Sequence, residues 1–203
     1  MQKYGMSEEH DKIIHQSKSI LKECDLCDNC LGRFFINFTH LSSGKRLGNK
    51  IRNSINSRAV TKCYICKNLF SNADLYVKMM QNASIGYEFS TFTVGAILKQ
   101  SIIERDDKLR SKFNLHGVDG IKTAVTRELG KKFVSKTKKR IDHLLADITF
   151  TINFKTEQCN VKTKPIFLYG KYIKEKRGLP QKGESCQDCK GKGCIFCNNH
   201  GIV

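Results

Sequence analysis

No stretch of this 203-residue chain is apolar enough, for long enough, to cross a bilayer as a helix. The opening residues, MQKYGMSEEHDKIIHQSK, lack the apolar core of a secretion signal. No lipidation motif is present, and no basic amphipathic helix carries the bulky apolar anchors of a membrane-surface segment. The expectation is a cytoplasmic protein with no membrane partner. Self-similarity at solenoid periods is also missing. So is a recognisable catalytic centre: the six histidines are scattered, and none has partners at nucleophile or metal-ligand spacing. Acidic residues are scarce as well.

That scarcity is the first positive signal. Only 19 Asp+Glu face 36 Lys+Arg, a net charge of +17. The excess is uneven: Lys131 to Lys182 holds 14 basic and 4 acidic residues. Such a field attracts polyanions and releases their counterions on binding, so nucleic acid is the expected partner. With 39% hydrophobic residues, the chain can bury one large core or two small ones.

Cysteine is the second signal. Nine of the ten cysteines stand in C-x-x-C spacing, and Cys159 stands alone as an expected buried small hydrophobe. Cytosolic thiols stay reduced, so paired spacing points to metal rather than to disulfides. Cys27 and Cys30 with Cys63 and Cys66 supply four thiolates, the set that a tetrahedral zinc ion takes. A closed site of this kind is structural and leaves no position for an activated water. Cys24 shares the spacing with Cys27, which leaves Cys24 open as a spare thiol. Cys186, Cys189, Cys194 and Cys197 offer a second zinc set, with Gly191 and Gly193 permitting a tight reversal between the pairs. The alternatives there are a site completed by a partner, or a DnaJ-type zinc module suggested by CQDCKGKG, although those chaperones carry several such copies. No thioredoxin-like βαβ context surrounds any pair, which disfavours redox chemistry.

The element pattern is mixed. A helix is expected over 7–22, capped by Ser7, and another over 44–60, where Leu47, Ile51, Ile55 and Ala59 recur while Lys45, Arg46, Lys50, Arg52 and Arg58 point elsewhere. Residues 86–98 read as a strand bent at Gly95, and 120–135 as a helix with Ile121, Ala124, Val125 and Leu129 inward. DITFTINF (147–154) alternates strictly, and PIFLYGKYI (165–173) is a further strand. The fold class is α+β or α/β. The expected division is a helical zinc-binding domain over 1–72, a helix-and-strand domain over 73–178, and a cysteine-rich knuckle over 179–203.

Several stretches, in order, resemble the N-terminal half of the archaeal and eukaryotic tRNA pseudouridine synthases of the Pus-ten family. CDNCLGRFF resembles its opening C-x-x-C-L-G-R element, and CYICKNLF its second cysteine pair. EFSTFTVGAIL, GIKTAVTRELGKK and DITFTINF resemble its THUMP domain. PIFLYGKYIKEKRGLPQ resembles the G-R-Y-x-K-x-x-R-G-x-P-Q signature, with Lys171 in place of the arginine, and SCQDCKGKGCIFCNNHG resembles the cysteine-rich linker of archaeal members. The resemblance implies a THUMP-type RNA-binding module over 73–178 that grips tRNA, and one zinc on Cys27, Cys30, Cys63 and Cys66. It also implies that the catalytic aspartate belongs to a further domain. Asp119, Asp142 and Asp147 lie inside the THUMP-like stretches and lack that context. Residues 1–203 are therefore expected to be inactive alone, as the tRNA-binding half of a synthase acting on T-arm uridines. A separately encoded catalytic domain is one possible partner, and a stand-alone tRNA-binding protein is the alternative.

The expected RNA contacts are clustered cations. Arg127, Lys131 and Lys132 share the outer face of one helix, followed by Lys136, Lys138, Lys139 and Arg140. Lys171, Lys174, Lys176 and Arg177 interleave with Tyr169 and Tyr172, pairing phosphate contacts with stacking surfaces.

Overall fold

The structure is a computed structural model describing residues 5–39 and 43–164, with side chains from residue 10 onward. The second cysteine cluster, the expected strand over 165–173 and the cations from Lys171 to Arg177 lie outside the described residues.

Helix α1 spans Gly5–Glu23, followed by the short α2 (Asp28–Arg33), a 3-10 turn at Ile36–Phe38 and α3 (Gly44–Ser54). Ile13 and Ile20 of α1 are buried, as the apolar spacing requires. The helix already runs through Gly5, so Ser7 lies inside it rather than at its cap. Helix α3 starts on Ser43, whose hydroxyl accepts the Arg46 N–H. It stops at Ser54, short of the expected residue 60. The cause is Arg52, which is 3% exposed rather than outward-pointing. Its Nη1 donates to the Ser57 hydroxyl and the Arg58 carbonyl, and its own carbonyl accepts the Ser57 N–H, folding the chain back past Asn56 at φ 52°.

The second half is one four-stranded sheet with helices packed on it. Helix α4 (Ala73–Ala83) precedes β1 (Thr91–Ile97). Helices α5 (Gln100–Lys112) and α6 (Ile121–Thr137) lead to β2 (Arg140–Ile141), β3 (Ile148–Asn153) and β4 (Gln158–Thr163). The order is β2-β1-β3-β4; β2 and β3 run parallel to β1, and β4 antiparallel to β3. β1 is shorter than the expected 86–98, because the chain turns after α4 with Gly86 at φ 86°. The ladder continues through Gly95, opposite Thr151, without a break.

The alternation in β3 is realised: Ile148, Phe150, Ile152 and Phe154 are buried, and the residues between them are half-buried. Helix α6 lays Ile121, Val125, Leu129 and Phe133 against the sheet, with Ala124 half-buried beside them. Phe133 meets Phe92 at 4.7 Å and Phe150 at 5.1 Å between ring centroids, joining α6 to β1 and β3. Tyr76 of α4 stacks edge-on against Phe154 at 4.6 Å. Cys159 is half-buried on β4, at the edge of the core.

Candidate functional site

The sulfurs of Cys27, Cys30, Cys63 and Cys66 all lie within 4.8 Å of one another, close enough to hold one metal ion. Their positions follow from two short turns. Cys27 precedes α2 and Cys30 sits one turn inside it, with the Leu31 N–H closing that turn onto the Cys27 carbonyl. Cys63 and Cys66 bracket a second turn, after which Lys67 and Asn68 both take positive φ and reverse the chain. The two turns are joined directly, because the Tyr64 N–H donates to the Asp25 carbonyl at 2.7 Å.

Four sulfurs this close perturb one another's proton affinity. Burial pushes the Cys30 thiol well up, while hydrogen bonds from Cys27, Cys30 and Cys66 hold Cys63 well down. A bound cation would resolve this competition by taking all four as thiolates. Cys24 is not in the cluster. Its sulfur approaches the Ile20 carbonyl, and burial pushes its pKa up to about 11.

Two buried arginines frame the site. Arg52 of α3 donates to Asp28 at 2.6 Å and to the Leu26 carbonyl, the residues on either side of Cys27. Arg33 directs Nη1 to the Asp119 carbonyl at 2.7 Å and Nη2 to Asp106. Asp106 is 1% exposed, and its other oxygen accepts the Ile121 N–H at the start of α6 and Arg110 Nε. This network ties the cysteine cluster to α5 and α6. The helices also meet backbone to backbone. A Cβ on Gly32 would overlap the Gly44 carbonyl oxygen, and one on Gly48 would overlap that of Asp28.

The expected RNA-contact residues divide into three groups. Arg127 pairs with Asp119 at 2.5 Å, and Lys132 and Lys136 both pair with Asp74, at 2.9 and 3.2 Å. Lys139 lies over the Phe89 ring at 5.0 Å. Lys131 is exposed on α6; Lys138, at the left-handed end of that helix, and Arg140, on β2, are exposed beside it. The three aspartates noted in the sequence have structural partners. Asp119 holds Arg127, Asp142 accepts the N–H groups of Leu144 and Leu145, and Asp147 accepts those of Ser90 and Thr91.

Residues 76–153 match the family model described as the Pus10 THUMP domain, archaeal. The chain is 51% identical over 95% of its length to a tRNA pseudouridine synthase Pus10 of Nitrosopumilus maritimus, covering 50% of that protein. The chain belongs to the Pus10 family, corresponding to the N-terminal half of its members. A second relative, from Cenarchaeum symbiosum, is 35% identical over 87% of this chain and 44% of its own length. A third, from Picrophilus torridus, is 31% identical, with 89% and 51% covered. The chain thus spans about half the length of the curated relatives it matches.

Arg33, Arg52 and Asp106 were not legible as functional positions. Arg52 and Asp106 sit in charged stretches that resemble solvated faces, and Arg33 follows the first cysteine pair in CDNCLGRFF; only their partners across the fold reveal what each one holds. Gly32, Gly44 and Gly48 carried a weak signal, as glycines inside or opening helices where a side chain would be preferred.

Proposed function

We propose that this chain is the tRNA-holding portion of a pseudouridine synthase system, with the catalytic aspartate supplied by another domain. The carrying observation is the family match over 76–153, which falls on the sheet with its α6 helix and the exposed cations beside it. The RNA-contact residues in this reading are Arg127, Lys131, Lys132, Lys136, Lys138, Lys139 and Arg140, with Arg127, Lys131, Lys132, Lys136 and Lys139 exchanging their local partners for phosphates as these approach. T-arm uridines are the proposed target, the cytoplasm is the proposed compartment, and residues 73–178 form the RNA-binding unit.

The metal in this reading is zinc, held by Cys27, Cys30, Cys63 and Cys66. Zn–S bonds of about 2.3 Å set tetrahedral S···S edges of about 3.8 Å. The Cys27 and Cys66 sulfurs stand 3.7 Å apart, which supports the fit. Zinc would supply no chemistry to the reaction; it would fix α2 to the second cysteine turn.

The test is reconstitution. The chain is combined with the catalytic half of the Nitrosopumilus relative, and pseudouridine in the T arm of a tRNA transcript is measured. Product from the mixture, and none from this chain alone, is expected. Product from this chain alone, or a catalytic half whose activity is indifferent to the chain, would defeat the proposal.

A further inference from the structure

Beside the cysteine cluster lies an open cleft of about 570 Å³ that no residue of α6 or of the sheet lines. Lys22 at the end of α1 and Lys62, Tyr64 and Lys67 of the second cysteine turn line it. All three lysines are exposed, and none makes an ion pair among the described residues. Arg58 lines the adjoining cleft, which shares Leu21, Asp25 and Lys62 with this one. The carboxylates present are Glu23, already held by Lys112 at 2.6 Å, and Asp25. The contrast with α6 is direct: there Arg127, Lys132 and Lys136 are compensated by Asp119 and Asp74.

The aromatic in this cleft is held in place. The Tyr64 backbone is fixed by its bond to Asp25, and the Arg105 guanidinium lies 5.8 Å from its ring centroid. A half-buried tyrosine among lysines that make no ion pair is the combination that takes a nucleic-acid strand, with the base on the ring and the phosphates on the cations. We infer that this cleft is a second RNA-contact surface, built on the metal-binding knot and separate from the THUMP sheet. Lys22, Lys62 and Lys67 neutralise phosphates there, and Tyr64 stacks a base. The inference rests on the RNA-binding function proposed above.

The test uses the full 203-residue chain and a fluorescent tRNA transcript. Replacing Lys22, Lys62 and Lys67 together by Ala should lower the slope of log K against log salt by about 2, and weaken binding roughly tenfold or more at low salt. Tyr64→Leu should weaken binding about fivefold or more with the slope unchanged. Metal content and melting temperature are measured on each variant. Because Tyr64 lies between two cysteines, photocrosslinking of the unaltered chain to thiouridine-substituted tRNA gives a reading independent of folding, with crosslinks expected on the peptide from Lys62 to Lys67. An unchanged slope and affinity in the lysine variant, or no crosslink on that peptide, would overturn the inference. A Lys138→Ala/Arg140→Ala variant separates the two claims. If it alone weakens binding, the THUMP surface stands and the cleft falls; if the unaltered chain binds no tRNA, both fall.

Discussion

Arg33 of α2 and Asp106 of α5, 73 residues apart in sequence, form an ion pair whose two side chains are 7% and 1% exposed. The pair is shared with the start of α6, since Asp106 also accepts the Ile121 N–H. Removing one member leaves a charge buried without its partner. Arg33→Ala or Asp106→Ala should each destabilise the protein by about 3–5 kcal/mol. Urea unfolding measures this directly. A loss under about 1 kcal/mol for either variant would show that the pair does not tie the two regions together.

The glycine contact between α2 and α3 makes a second expectation. Gly32→Ala and Gly48→Ala place a methyl group against backbone carbonyls, which cannot retreat as a flexible side chain can. Each should destabilise the fold by about 3 kcal/mol or more, and should weaken metal retention, because α2 carries Cys30. Gly95→Ala, with Thr151 Oγ1 at an ordinary 3.5 Å from the added methyl, is the control and should be tolerated far better.

Metal content distinguishes the cysteines. Cys30→Ser and Cys63→Ser should each lower bound zinc by one equivalent and lower the melting temperature, since both sulfurs belong to the close-packed set. Cys24→Ser should leave the metal content unchanged. Loss of metal in the Cys24 variant would place that thiol in the ligand set instead.

The seven-stretch resemblance, the cysteine spacing and the alternation of β3 were all readable from sequence, for one physical reason: each is a local pattern. Cys27 and Cys30 lie in one turn, and Ile148, Phe150 and Ile152 lie on one face of one strand. What escaped was non-local. Helix α5 presents ERDDK, which resembles a solvated charge run, yet Asp106 within it is buried because Arg33 arrives from far away in sequence. Arg52 looked like one more outward cation of α3, and its burial depends on Asp28 and the Leu26 carbonyl. Helix α4 carries a stripe legible in sequence, Ala73, Tyr76, Val77 and Met80 at helical spacing, which the element pattern passed over, whereas β4, as an exposed edge strand of sequence QCNVKT, had little apolar content to display. The compensation of Arg127, Lys132 and Lys136 was likewise invisible, because Asp119 and Asp74 lie on other segments.

Acid should weaken the sheet through Asp147. Backbone N–H groups of Ser90 and Thr91 hold this carboxylate below its ordinary value of 3.8, where the chain passes the start of β1. A depressed folded pKa means that the contribution is complete above 3.8 and fades as pH falls through the folded value. Asp147→Asn should therefore be less stable than the unaltered protein at neutral pH, and the gap should narrow as the pH drops below that value. Release of cysteine-bound metal in acid affects both proteins alike, so the difference between them reports on Asp147. A gap independent of pH would contradict the assignment.

The central claim is that this chain holds tRNA through its cations, and equilibrium binding of a tRNA transcript to the purified chain tests it most directly. Affinity measured at about 50 and about 200 mM salt should fall by at least about tenfold across that interval, as several neutralised phosphates require. No binding at the lower salt, or equal affinity at both, would contradict it.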